Sequence, residues 1–137
     1  MYTLRYKKSF KIKKIKKSSK YLGVVIFGAF GLKTVLSCVL RATHLESMRR
    51  TVARITKRVS LVWIRVFFIQ SLTKKPLGSR MGKGSGVIKT WVSYIKSGVI
   101  ILEVGGIKKN IGVKALSVAS LFLPCKVTIV SRNFTLA

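Results

Sequence analysis

The run Thr-His-Leu-Glu-Ser-Met-Arg-Arg-Thr-Val-Ala-Arg-Ile-Thr-Lys-Arg at residues 43–58 predicts the clearest helix of this chain. One apolar face follows from spacings of three and four residues, and it comprises Leu45, Met48, Val52, Ile55 and Val59. Thr43 and Glu46 have the spacing of a capping box, in which a hydroxyl and a carboxylate each bind a free N–H of the first turn. We therefore expect a helix that begins at Thr43 and packs through this face.

A second face of the same predicted helix is basic. Arg50, Arg54 and Arg58 are spaced by four residues, and Arg49 and Lys57 widen the row. Such a row can simply be a solvated face. With only two acidic residues in the chain, however, these cations have few intramolecular partners. The row therefore favours contact with RNA phosphates.

The rest of the chain predicts more strands than helices. Strands are expected at residues 61–69, in which apolar side chains alternate, and at residues 126–131. Residues 90–95 and 99–104 predict a hairpin closed by Lys96-Ser97-Gly98. A second helix is expected from Asn110 to Phe122, before Pro124. The predicted fold class is α+β, with a small mixed or antiparallel sheet and two helices.

The composition points to a polyanionic partner. The chain has 137 residues, which suits one domain, and 28 Lys and Arg against 2 acids give a net charge of +26. Self-repulsion of this size opposes compaction unless a polyanion neutralises it, and nucleic acid is the first choice before an anionic membrane surface. Because hydrophobic residues make up 49% of the chain, it is not a disordered basic tail.

The same composition argues against an enzyme. Glu46, Glu103 and His44 are scattered and Asp is absent, so neither an acid/base pair nor a magnesium or zinc site is expected, and no cofactor is predicted. His44 is interpreted as a helix-start residue or an RNA contact. Cys38 and Cys125 lack metal-ligand spacing; we interpret both as buried small apolar residues, and the sequence leaves a disulfide between them open.

Residues 1–20 form a basic N-terminal extension that is too charged to fold alone. We expect it to thread along RNA, with a cleaved transit peptide or a solvated tail as alternatives. The predicted RNA-binding residues of this extension are Lys7, Lys8, Lys11, Lys13, Lys14, Lys16 and Lys17. A single domain is expected over residues 21–137.

Residues 21–40 are mostly apolar, with Lys33 between two uncharged runs. The first run has only 12 residues, against the roughly 20 that a membrane span needs. Gly28 and Gly31 interrupt it, and residues 24–27 favour a strand. We predict two short strands with a turn or bulge near residues 28–31 and no membrane span. The alternative function is a membrane-associated basic protein anchored by residues 21–40.

A glycine-rich loop is predicted over residues 79–87, where Arg-Met-Gly-Lys-Gly-Ser-Gly at residues 80–86 contains no acid. Its backbone N–H groups and cations can approach phosphates closely. The P-loop spacing and a following helix are both missing, so nucleotide binding is not expected. Lys74 and Lys75 precede the loop and are predicted RNA contacts.

Several blocks together resemble bacterial-type ribosomal protein L16, the universal uL16 family. They are Phe-Gly-Ala-Phe-Gly-Leu-Lys at 27–33, Glu-Ser-Met-Arg-Arg at 46–50, Lys-Arg at 57–58, Val-Trp-Ile-Arg-Val-Phe at 62–67, Thr-Lys-Lys-Pro at 73–76 and Arg-Met-Gly-Lys-Gly at 80–84. The resemblance runs from about Phe27 to Arg132. It implies a structural large-subunit protein with hammerhead-like strands that binds large-subunit rRNA beside neighbouring ribosomal proteins.

The resemblance also implies that the glycine loop lies near the aminoacyl-site tRNA and supports its accommodation. By position, the tRNA-proximal residues would be Arg80, Met81, Gly82, Lys83, Gly84, Ser85 and Gly86. Ser85 departs from the family, which usually has Lys there. Richness in Lys, Ile and Phe and in apolar residues such as Val35 and Leu36 favours a mitochondrial ribosome over a chloroplast or bacterial one.

Overall fold

The computed structural model describes residue 8 and residues 23–68, 70–82 and 84–132. The elements in these residues are, in chain order, β1 (Phe30–Thr34), β2 (Cys38–Arg41), α1 (Ala42–Ile55), β3 (Leu61–Ile64), β4 (Gln70–Lys74), β5 (Val87–Ile95), β6 (Ile100–Gly105), α2 (Lys109–Ser120) and β7 (Val127–Ser131). They make two antiparallel sheets, with the strand orders β3-β6-β1-β7 and β2-β5-β4. The predicted α+β class with two helices is confirmed.

The core lies between the two helices and the sheets. α1 and α2 pack against each other, α2 covers β1 and β7, and α1 contacts β2, β3 and β5. All six residues of β6 are buried, which explains why this segment reads as an almost continuous apolar run. Among the fully buried side chains are Leu32 of β1, Leu40 of β2, Met48 of α1 and Leu116 of α2. Burial of this apolar surface is the main force that holds the elements together.

The predicted hairpin at residues 90–104 is wrong. β5 and β6 are consecutive, but β5 pairs with β2 and β4 whereas β6 pairs with β1 and β3. Thr34 of β1 occupies the hydrogen-bonding groups of the turn between these two strands. Its N–H donates to Val99 O at 2.9 Å, its O accepts from Gly98 N–H at 2.8 Å, and its hydroxyl donates to Lys96 O at 2.8 Å. The turn at residues 96–99 therefore joins the two sheets.

The strand predicted at residues 24–27 is also wrong, because the first strand, β1, begins at Phe30. The N–H groups of Ile26, Phe27 and Gly28 donate to the Glu103 carboxylate at 3.1, 2.7 and 2.9 Å, so they are not free to join a sheet. The expected irregularity lies slightly later, where the pairing of β1 with β6 shifts between Leu32 and Lys33. In the part of the chain that the structure describes, neither helix has the length and apolarity to cross a membrane.

The single strand predicted at residues 61–69 is shorter than expected. β3 ends at Ile64, and β4 begins at Gln70 in the other sheet. Residues 71–74 belong to β4, a strand that the sequence did not predict, and its partner is β5. The alternation of side chains did not reveal this change because apolar residues continue through the connection between the two sheets.

Both helices start and end earlier than predicted. β2 runs directly into α1, so Arg41 is the residue before the helix and Thr43 lies inside it, without the predicted capping box. His44 lies in the first turn as expected, and its Nδ1 accepts from the Arg41 N–H at 3.4 Å. α2 follows Lys108 rather than Asn110 and ends at Ser120. The last strand, β7, matches the prediction to within one residue.

Candidate nucleic-acid interface

The cations of α1 and of the turn after it line one open cleft of about 490 Å³, which we call the basic cleft. Its lining residues are Arg49, Arg50, Ala53, Arg54, Lys57 and Arg58. All five predicted cations of this segment are thus brought together, although Lys57 and Arg58 lie beyond the helix rather than in it. A concave surface of this charge suits a polyanion more than an apolar ligand.

The opposite face of α1 explains why these side chains point outward. Leu45, Met48 and Val52 are buried against the core, as the apolar spacing predicted. Val59 was expected on the same face but is 70% exposed, because the helix has already ended. Thr56 takes its place: it is buried, and its hydroxyl donates to Val52 O at 2.8 Å.

One carboxylate moderates the charge of the basic cleft. Glu46 accepts from Arg49 Nε and Nη2 at 2.9 and 2.8 Å and from Arg50 Nε at 2.9 Å. Hydrogen bonds from Arg49 and then from Arg50 lower the pKa of Glu46 to about 2. Among the described residues no carboxylate pairs with Arg54, Lys57 or Arg58. These three cations are therefore the ones available to an external anion.

The turn after α1 has an unusual backbone. Lys57 and Arg58 have φ angles of 52° and 65°, in the left-handed region that side chains other than glycine rarely adopt. Their N–H groups satisfy carbonyls at the end of the helix, with Lys57 donating to Arg54 O and Arg58 to Ala53 O at 3.2 and 2.8 Å. The turn bends the chain so that both side chains stay beside Arg54. The negative end of the helix dipole also favours cations here.

The glycine loop connects β4 and β5, so it is the tip of a hairpin formed by these two antiparallel strands. Gly78, Gly82 and Gly84 have φ angles of 80°, 99° and 81°, and a Cβ on any of them would meet nothing within 4 Å. Glycine is needed at these positions for backbone shape. Arg80, Ser85 and Met81, which is 97% exposed, extend from the surface.

A second cleft, of about 420 Å³, lies at the base of the glycine loop, and we call it the loop cleft. It is lined by Lys74, Lys75, Pro76, Leu77, Val87, Ile88 and Lys89. Lys75 Nζ donates to Gly82 O, which ties the base of the loop to its tip. Leu77 is fully exposed, so the cleft presents an apolar surface as well as three lysines. The loop cleft and the basic cleft share no lining residue.

Other predicted site residues are not brought into either cleft. Lys8 is exposed and is the one residue of the N-terminal extension that the structure describes. Several predicted RNA contacts lie outside the described residues, namely Lys7, Lys11, Lys13, Lys14, Lys16, Lys17 and Lys83. Their roles remain predictions.

Sequence reasoning missed two features of this surface. Lys89 on β5 joins Lys74 and Lys75 in the loop cleft, which only the pairing of β4 with β5 reveals. Glu103 was grouped with scattered acids, but it is fully buried and forms an ion pair with Arg65 at 2.6 Å. A lone acid inside the apolar run Ile100–Gly105 was the available signal, since a buried carboxylate needs partners.

Within the described ranges, no three His, Cys, Asp or Glu side chains come together as metal ligands. The clefts therefore offer cations, backbone N–H groups and apolar surface. Groups of this kind attract phosphates by charge.

A comparison with protein families gives a match over nearly the whole chain. The family model described as ribosomal protein L16p/L10e matches residues 3–130. The matched region includes α1, both clefts and the glycine loop.

Proposed function

Since the chain belongs to the ribosomal protein L16p/L10e family, we propose that it binds large-subunit rRNA through the basic cleft. Membership of the family makes it a structural protein of the large ribosomal subunit, located in the ribosome. The observation that carries the rRNA proposal is the charge of the cleft, five cations with one carboxylate that engages only Arg49 and Arg50. No catalytic role is proposed.

The strength of binding should come mainly from phosphates. Each phosphate contact releases counterions, so affinity falls with salt, with a slope of about 0.9 per contact in a double logarithmic plot. Arg54, Lys57 and Arg58 supply contacts without first breaking an internal ion pair. Arg49 and Arg50 are partly neutralised by Glu46, so we expect them to contribute less to the affinity for RNA.

Salt titration of the full chain with large-subunit rRNA fragments tests this proposal. Arg54→Gln should lower the salt slope by about 1, whereas Lys114→Gln, an exposed cation on α2 outside both clefts, should change it less. Binding that is equally strong at low and high salt would refute the proposal.

The glycine loop is proposed to contact the aminoacyl-site tRNA. Support comes from the exposed Arg80 and Met81 at the tip of the β4–β5 hairpin and from the cations at its base. Ribosomes that carry Arg80→Ala with Lys83→Ala should accommodate tRNA more slowly yet assemble normally. Lys114→Ala is the matched control. Normal tRNA selection in the loop variant would count against this role.

For the ends of the chain, we propose that residues 1–20 thread along rRNA and that residues 21–137 form the single folded domain. Exposed Lys8 and the nine cations of residues 1–20 support this division. Deletion of residues 1–20 should weaken rRNA binding while the circular dichroism of the fold is retained. Loss of the fold, or unchanged binding, would refute it.

A mitochondrial ribosome is the proposed location. The support is compositional, from the abundance of Lys and Ile and from exposed apolar side chains such as Leu36 and Phe67, which suit burial against neighbouring proteins. Cosedimentation with the large ribosomal subunit from purified mitochondria tests this location. Recovery only with another ribosome would reject this location.

A further inference from the structure

The two cysteines of the chain meet although they are 87 residues apart. The Cys38 thiol donates towards Cys125 Sγ at 2.8 Å. Cys38 begins β2, in the sheet that carries the glycine loop, and Cys125 lies just before β7, at the edge of the other sheet. Both thiols are free, and the expectation that the two cysteines are buried is wrong, since both side chains are only half-buried.

The backbone on both sides holds this pair in place. Cys38 is paired with Ile95 in the ladder between β2 and β5. Val35 N–H donates to Lys126 O at 3.0 Å, which ties the connection before β2 to the residue after Cys125. Both side chains also pack against the core on one side. Two thiols that are fixed so close together need little movement to form a bond.

We propose that Cys38 and Cys125 are a site of reversible disulfide formation that fastens the loop-bearing sheet to the sheet of β7. The oxidant is a low-molecular-weight disulfide such as oxidised glutathione. Because both thiols are partly exposed, such a molecule can reach them. The pair is independent of the clefts proposed for RNA, since neither cysteine lines them.

The reaction balances as two thiol–disulfide exchanges. The Cys125 thiolate attacks one sulfur of oxidised glutathione, the S–S bond of glutathione breaks, and one glutathione thiolate leaves. Cys38 then gives its proton to solvent, its sulfur attacks Cys125 Sγ, and the second glutathione leaves. Two electrons pass from the cysteine sulfurs to glutathione, and two reduced glutathione molecules are formed.

The hydrogen bond between the thiols supports this order. It lowers the pKa of the Cys125 thiol and raises that of Cys38, so Cys125 is the first to ionise. The thiolate is the reactive form in exchange. Once Cys125 carries glutathione it no longer holds a negative charge. Its contribution to the raised pKa of Cys38 then disappears, so Cys38 ionises more readily.

The test uses the full-length chain in defined mixtures of reduced and oxidised glutathione, followed by alkylation and peptide mass spectrometry. We expect the two thiols to disappear together and a peptide pair joined through Cys38 and Cys125 to appear. Reduction should restore both thiols. Separate glutathione adducts on each cysteine, a disulfide between two chains, or thiols that stay reduced would each overturn the proposal.

Variants and melting give an independent measure. Cys38→Ser should stop the reaction at a glutathione adduct on Cys125, and Cys125→Ser should stop it at an adduct on Cys38, so neither single variant should form a disulfide within the chain. Closing a loop of this length should raise the Tm of the oxidised wild type by about 10 °C. The Cys38→Ser, Cys125→Ser double variant should melt at the same temperature under both conditions; an equal oxidative rise in it would also contradict the proposal.

Discussion

Arg65 Nη1 lies 2.6 Å from Glu103 Oε1, and this ion pair joins the residue that follows β3 to the neighbouring strand β6. Glu103 is fully buried in the central strand β6, and its second oxygen accepts from the N–H groups of Ile26, Phe27 and Gly28. Arg65 also donates to Val24 O at 2.8 Å. One carboxylate and its arginine partner thus hold residues 24–28, the segment that precedes β1, against the sheet.

Replacing this carboxylate should destabilise the fold. Glu103→Gln removes the charge opposite Arg65 and replaces one oxygen acceptor with an amide donor that faces backbone N–H groups. Because one partner of a buried pair remains unpaired, we expect a loss of about 3 kcal/mol in the free energy of unfolding. Urea unfolding followed by circular dichroism measures it.

Glu46→Gln is the matched control for this change. It also removes a carboxylate that binds arginine, but Glu46 lies on the surface, where such pairs contribute little. We expect no detectable change in the urea midpoint. Equal midpoints for Glu103→Gln and wild type would show that the buried pair does not stabilise the fold.

The Glu103 carboxylate should make the stability of the fold sensitive to acid. Burial acts to raise the pKa of Glu103, but hydrogen bonds from Gly28 N–H, Arg65, Phe27 N–H and Ile26 N–H outweigh it and hold the pKa below its usual value. The unfolded chain therefore takes up a proton first as the pH falls. The stability from Glu103 is complete above the unfolded pKa of about 4.3 and is lost as the pH falls through the folded pKa.

Because Glu46 and Glu103 are the only acidic side chains, this dependence can be isolated. The urea midpoint of the wild type should drop between about pH 5 and pH 3, and the drop should be smaller in Glu103→Gln. Glu46→Gln should keep most of it, because Glu46 and its arginine partners are exposed, and solvent screening leaves the lowered pKa of Glu46 with little effect on stability. An identical acid profile for wild type and Glu103→Gln would exclude Glu103 as its source.

The sequence predicted the positions of the helices and strands better than it predicted which strands pair with each other. The apolar spacing of Leu45, Met48 and Val52 identified α1 because periodicity is a local property. It could not show that β5 leaves β6 for another sheet, because that depends on hydrogen bonds of Thr34 to residues more than 60 positions away. For the same reason, the basic cleft was predicted through the row of cations on α1, whereas the contribution of Lys89 to the loop cleft was missed.

Two glycines of the glycine loop should respond differently to alanine. A Cβ at Gly86 would lie 2.6 Å from the Lys74 carbonyl oxygen, so Gly86→Ala must push apart the strands at the base of the loop. We expect it to cost about 2 kcal/mol or more in the free energy of unfolding. At Gly84 the space is open, and Gly84→Ala is opposed only by a φ of 81°, at about 1 kcal/mol.

Urea unfolding of both variants distinguishes a steric role from a conformational one. Gly86→Ala should also raise the rate of amide hydrogen exchange at the base of the β4–β5 pair, near Val87. Gly84→Ala should leave that exchange unchanged. A larger loss of stability in Gly84→Ala than in Gly86→Ala would contradict the close approach at Lys74.

The turn at Lys57 and Arg58 predicts opposite effects on stability and on RNA binding. Arg58 has a φ of 65°, which costs a side chain about 1 kcal/mol relative to glycine. Arg58→Gly should therefore raise the free energy of unfolding by about 1 kcal/mol, and removal of its charge should lower the salt slope of rRNA binding by about 1. Arg58→Gln, which keeps the backbone cost, should lower the slope equally without the gain in stability. Salt titration and urea unfolding of both variants measure the two effects; a stability gain with unchanged RNA binding in Arg58→Gly would mean that this cation does not contact phosphate.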